Sequence, residues 1–120
     1  MRSPLIAATL LLAWAVQAHG QDAPEKSCDG STPQMVACLQ GQTAKWDKRM
    51  NAAYQQVLKN GKKLQGGQLR IAQRLWIVYR DANCLYYGLG EGTIARLDAG
   101  ECMRSMTEAR AKEFEGLGHQ

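Results

Sequence analysis

Four cysteines, at positions 28, 38, 84 and 102, restrict this 120-residue chain more than any other feature, because their chemistry depends on the compartment the chain reaches. The N-terminus answers that question. Arg2 precedes an apolar run from Pro4 to Val16, and "VQAHGQ" follows; a basic start, an apolar middle and small residues at the end make a secretory signal peptide. The run of 13 residues is shorter than the roughly 20 that a membrane-spanning helix needs. Residues 1–18 are expected to be cut away after Ala18, with Gly20 as the second choice. No cysteine follows closely enough to carry a lipid, so the expected product is soluble, without membrane span or lipid anchor, in the periplasm or secreted.

In an oxidising compartment an even number of cysteines reads as a pair of disulfides. Cleavage after Ala18 leaves 102 residues, a single domain that buries only about 60–70% of its unfolded surface. Each bridge typically adds about 2–4 kcal/mol to such a marginal core. Zinc is the competing use of four cysteines, but the intervening stretches of 9, 45 and 17 residues contain no C-x2-C or C-x4-C knuckle. No metal and no cofactor is expected.

Loss of Arg2 with the signal lowers the formal net charge from +4 to +3, and the charges are interspersed. There is no basic run with interleaved aromatics, and export separates the chain from nucleic acid. The one local cluster, "KNGKK" at 59–63, reads as a solvated connection between helices.

Residues 19–33 are polar, carry two prolines and show no period, which predicts an extended leader ahead of a helical domain over 34–118. Thr32 and Pro33 offer a cap and a first-turn proline. Met35, Leu39, Trp46, Met50, Ala53, Tyr54 and Val57 then share one stripe of a first helix that stops near Asn60-Gly61. "KKLQGGQ" is the expected connection. A second helix carries Leu69, Ala72, Leu75, Trp76, Tyr79, Asn83 and Tyr86 at helical spacing until "GLGEG" at 88–92. A third starts at Thr93 or at Asp98, where "DAGE" has capping-box form, and aligns Cys102, Met106, Ala109, Phe114 and Leu117. No segment alternates at period 2. The fold class is all-α: three antiparallel helices with a short extended N-terminal leader, stapled by two disulfides.

Counting outward from the first connection brings the polar residues of helices one and two level with each other. Asp47 then meets Tyr79 and Arg80, Asn51 meets Trp76, and Tyr54 meets Gln73 or Arg74. Trp76 and Arg80 are four apart on one face, so the guanidinium can lie on the indole. Asp47, Asn51, Trp76, Tyr79, Arg80 and Asp81 form an expected structural polar network that sets helix register. A binding face is the other reading of the same aromatics and arginine.

In this layout all four cysteines lie at one end of the bundle. Three pairings are possible. Cys28–Cys38 folds the leader over helix one, and Cys84–Cys102 spans the second turn. With both bridges formed no thiol is free, and the two histidines, His19 and His119, sit at the chain ends. Asp47 and Asp81 with Arg80 between them suit a salt bridge better than acid–base work. The chain is not expected to be an enzyme.

The order of these features resembles the LprI-type lysozyme-inhibitor domain, a small exported helical module of bacteria. A cysteine pair ("C" at 28, "MVAC" at 35–38) precedes "WDKRMNAAYQQVL" at 46–58. "LRIAQRLWIVYRDANC" at 69–84 follows, and a glycine-containing turn, Cys102 and "TEARAKEFEGL" at 107–117 complete the series. The most specific part is Gln73, Arg74, Trp76, Tyr79, Arg80, Asp81 and Cys84. The resemblance implies a binder and inhibitor of lysozyme-type muramidases in the cell envelope, although founding members carry a lipid anchor and this chain is not expected to. An animal-type lysozyme is itself basic, so a partner of charge +3 gains no long-range attraction, and a local plug is needed. "YYGLGEG", with Tyr86, Tyr87, Gly88, Gly90 and Glu91, is the candidate partner-binding loop, its plainer reading being a helix–helix turn. The alternative role is a non-inhibitory periplasmic adaptor or structural module for another envelope protein.

Overall fold

The computed structural model describes residues 25–118; the expected signal segment, both cleavage positions, His19 and His119 lie outside them. Three helices account for most of the described chain: α1 (Thr32–Asn60), α2 (Lys63–Gly88) and α3 (Ile94–Leu117), with no strand among the described residues.

Local chemistry accounts for the ends, with two differences from expectation and one open choice settled. Ser31, not Thr32, caps α1: its hydroxyl accepts from the Gln34 N–H, and the Gln34 side chain accepts from the Ser31 N–H at 2.8 Å. The connection to α2 is only Gly61 and Lys62, so most of "KKLQGGQ" is helix. Gly66 and Gly67 weaken that helix intrinsically by about 1 kcal/mol each. Yet the Leu58 side chain lies 3.6 Å from where a Cβ on Gly66 would stand, so packing supports the turn. The third helix uses the earlier start, with Thr93 at the cap position, and Asp98 falls inside a helix already under way.

Tertiary arrangement departs further from the simple hairpin. α3 packs along both α1 and α2, whereas α1 and α2 hardly touch. Trp46 and Met50 of α1 meet Ala111 and Phe114 of α3 in the main core, and Trp76 of α2 leans on its edge. Towards the other end Leu39 of α1 packs on α3 at Gly100, where an added Cβ would come within 3.2 Å of a Leu39 methyl. α2 buries only Gly66, Gln73 and Cys84. Of its expected inward stripe, Leu75, Tyr79 and Tyr86 face solvent, and Ala109 and Leu117 of α3 are exposed too. The reason is that α2 has apolar residues on two opposite faces, and periodicity alone does not say which one is covered.

Residues 25–30 of the expected leader are extended and lie back on the helices. Cys28 is bonded to Cys38, Gln42 Nε2 donates to the Lys26 carbonyl at 2.6 Å, and Trp46 Nε1 donates to Glu25 at 3.1 Å. Glu25 also pairs with Arg104 of α3 at 3.2 Å. Cys84–Cys102 ties α2 to α3, and the helix order places both bridges at the same end of the bundle.

Candidate functional site

At the bridged end, α2 runs through Tyr86, Tyr87 and Gly88 before it turns. Leu89 N–H donates to the Leu85 carbonyl at 3.0 Å and Gly90 N–H to the Tyr87 carbonyl at 3.1 Å, so the helix closes in two bonded turns. Gly92 has φ +74°, a left-handed conformation that glycine adopts without a Cβ clash, and it redirects the chain into α3. At Gly88 the helices approach closely: a Cβ there would stand 3.4 Å from the Ala99 methyl. With Cys84–Cys102 four residues upstream, the Tyr86–Glu91 segment is held by a covalent bridge, a capped helix end and a tight contact.

The tyrosine rings stand edge to face with centroids 5.4 Å apart, and Tyr86 is 75% exposed. Glu91 is exposed. Next to them a shallow groove between α1 and α3 is lined by Val36, Thr43, Gly88, Arg96, Ala99 and Met103. Aromatic faces, a glycine-containing turn and an exposed arginine beside an apolar groove can bind a protein; nothing in this group pairs a nucleophile with a base. Both thiol pairs are oxidised, and among the described residues no cluster of His, Cys, Asp and Glu has metal-ligating geometry.

Arg80 is the centre of the polar network. Its side chain is 11% exposed, pairs with Asp81 at 2.9 Å, donates to Thr107 Oγ1 of α3 at 3.3 Å and lies 3.9 Å from Asp47 of α1. The guanidinium sits 5.1 Å from the Trp76 ring, and Asn51 donates to Asp47 at 3.1 Å. Tyr79 does not join: it is 61% exposed. Asp47 of α1 and Arg80 of α2 thus form a long ion pair between two helices that otherwise hardly touch, because α3 lies against both.

Three further polar groups escaped the sequence reading. Arg110 of α3 donates to Gln73 Oε1 at 3.0 Å and lies 4.4 Å from the Phe114 ring, which lets the buried Gln73 amide be satisfied. Arg49 grips Glu115 with two hydrogen bonds of 2.9 and 2.8 Å and stacks on Trp46. Arg104 gathers Glu25, Glu101 and Glu108. Its hydrogen bond holds the Glu101 carboxyl below the usual carboxylate value. Glu108 is lowered mainly by Lys112 and then by Arg104, while the Arg104 guanidinium is raised, first by Glu101. Gln42 and Thr107 could have been found, since each interrupts an apolar stripe at a helical step where a core residue would be expected.

No helix among the described residues is long and apolar enough to cross a membrane. A family model described as Lysozyme inhibitor LprI matches residues 24–114. No curated protein and no solved structure matches the chain.

Proposed function

The chain belongs to the LprI lysozyme-inhibitor family, and from that premise we propose that it is exported, loses residues 1–18, and blocks a lysozyme-type muramidase in the periplasm or outside the cell. It acts by binding rather than by chemistry. The observation that carries this reading is the stiff end of the bundle, where Tyr86 and Tyr87 project from a helix terminus anchored by Cys84–Cys102. Tyrosine offers a large amphipathic contact with few torsions to freeze, and a prestiffened turn loses little entropy on docking. The lack of side chains at Gly88, Gly90 and Gly92 lets the rigid turn approach the wall of a cleft closely, with Glu91 exposed beside it, while Arg96 supplies a cation for acidic groups within it. Since both proteins are basic, close complementarity and not charge steering supplies the affinity.

The test is lysis of bacterial cell walls by several lysozymes, with and without the purified, processed protein. Dose-dependent protection is expected. Replacing both tyrosines, Tyr86→Ala with Tyr87→Ala, should weaken it by about 30-fold, the equivalent of one hot spot of about 2 kcal/mol. Absence of protection at micromolar excess against every lysozyme refutes inhibition and leaves an adaptor for another envelope protein. Intact-mass measurement of the exported chain checks the cleavage position.

A further inference from the structure

The outer face of α2 is more apolar than a solvent-facing helix surface requires. Leu64, Ile71, Val78 and Leu85 recur every seven residues, and Leu75, Ala82 and Leu89 recur every seven between them, with Gln68 completing the second series. All eight are exposed; Leu64 is 89%, Leu75 66% and Val78 67% accessible. Steps of alternately four and three residues over the whole helix make the seam of a two-stranded coiled coil. The inner face of the same helix presents Gly66, Gln73 and Cys84. α2 therefore carries a better helix-packing surface outside than inside.

We propose that this face pairs with the same face of a second copy of the chain, the two α2 helices running antiparallel about a twofold axis. Three features select a second copy over other occupants. First, the seam complements itself when reversed: Leu64 aligns with Leu89, Gln68 with Leu85, Leu75 with Val78, and Ile71 with the small Ala82, so every seam position has a partner and no apolar residue overhangs at either end. Second, the same alignment brings Arg74 beside Asp81 of the other copy, twice by symmetry, on one flank of the seam. On the other flank stand Tyr79 with Ala72 and Tyr86 with Gln65, and no like charges oppose each other. Third, the size is sufficient. The 26 residues of α2 span about 39 Å at 1.5 Å per residue. Two such faces, each with six large exposed leucine, isoleucine, valine or tyrosine side chains or more, reach the roughly 1,000 Å2 that a specific interface needs.

The inference stands apart from the inhibitor reading, since it is measured with no muramidase present. The processed, disulfide-bonded protein should sediment at twice the mass of one chain at micromolar concentration. Leu75→Glu should convert it to a single chain with an unchanged helical circular dichroism spectrum, because Leu75 touches no core. Arg74→Asp and Asp81→Arg should each raise the dissociation constant about tenfold or more, and the two together should restore it towards the original value. That rescue is specific to antiparallel pairing; in a parallel pair residue 74 lies beside Tyr79, and the double change would not recover. A wild-type chain that stays single at 100 µM, an approximate ceiling well above the dissociation constants of specific interfaces, overturns the proposal. So does a dimer indifferent to Leu75→Glu, a double variant without rescue, or a single chain whose α2 face instead binds lipid vesicles or a muramidase in a Leu75-dependent manner.

Discussion

Removing the Cys84–Cys102 bridge, by Cys84→Ala with Cys102→Ala, separates the contribution of covalent linkage from that of packing in α2. The bridge closes a sequence separation of 18 residues and Cys28–Cys38 one of 10. On the chain-entropy account their losses cost about 3.2 and about 2.7 kcal/mol, nearly the same. For a domain of this size about 3 kcal/mol corresponds to a fall in melting temperature of roughly 12–24 °C, out of a total stability of about 5–15 kcal/mol. The two variants should differ in where protection is lost. α2 buries one glutamine, one glycine and Cys84 itself, and its second half touches the core mainly through Trp76, Arg80 and Asn83. Without the bridge, the stretch from Arg80 through the 89–93 turn should open locally, at a free energy well below that of global unfolding. Amide hydrogen exchange followed by mass spectrometry reads this directly. In the Cys84/Cys102 variant, peptides covering 80–93 should exchange at least tenfold faster relative to peptides of α1 (an opening difference above about 1.4 kcal/mol). In the Cys28→Ala/Cys38→Ala variant the extra exchange should centre on the leader. If α1 and α2 lose protection in parallel when Cys84–Cys102 is removed, α2 is held by its own packing and the reasoning fails.

Phe114→Ala removes the largest fully buried side chain, set against Tyr54 with centroids 5.5 Å apart, and should cost about 3–5 kcal/mol in chemical denaturation; a loss under 1 kcal/mol would mean the main core lies elsewhere. At Gly100, alanine gains up to about 1 kcal/mol of helix propensity against a tight but yielding contact with Leu39, so Gly100→Ala should be close to neutral, whereas Gly100→Val should destabilise by about 1–3 kcal/mol through overpacking. Both are read from melting curves, and equal effects would refute the close approach. Acid should weaken the fold at the Arg104 cluster: Glu101 and Glu108 have carboxyls lowered from the ordinary value of 4.5, so their stabilisation is present above that pH and is lost as pH falls through the lowered folded values. Melting temperature followed downward from about pH 6 should decline more steeply below about 4.5 in the wild type than in Arg104→Gln, and superimposable profiles would show that the cluster contributes nothing.

Much of the architecture was legible in one dimension. Apolar recurrence at three and four residues gave three helices, "GLGEG" marked the second turn, and cysteine number and spacing, read with an expected export signal, gave two bridges at one end. These properties depend on neighbours within a few turns or on the compartment, so a single chain displays them. Helix ends were legible only in part: Ser31 with Gln34 outcompetes Thr32 because two reciprocal hydrogen bonds form, and α2 runs through Gly66 and Gly67 with Leu58 packed beside Gly66. The residues around Arg80 were recognisable as polar and structural, but their partner on α3, Thr107, was not, and neither were Arg110 for Gln73 or Glu25 for Trp46.

What only three dimensions decided is which surface each helix buries. α2 carries Leu69 and Trp76 on one side and Ile71, Leu75 and Val78 on the other, and period 3.6 scores both alike. The choice was made by α3, whose Ala111 and Thr107 are small enough to let it lie closely against α1 and α2 at once and draw Gln73 and Arg80 inward. Burial is a property of the pair of surfaces in contact, and a sequence states only one member of each pair.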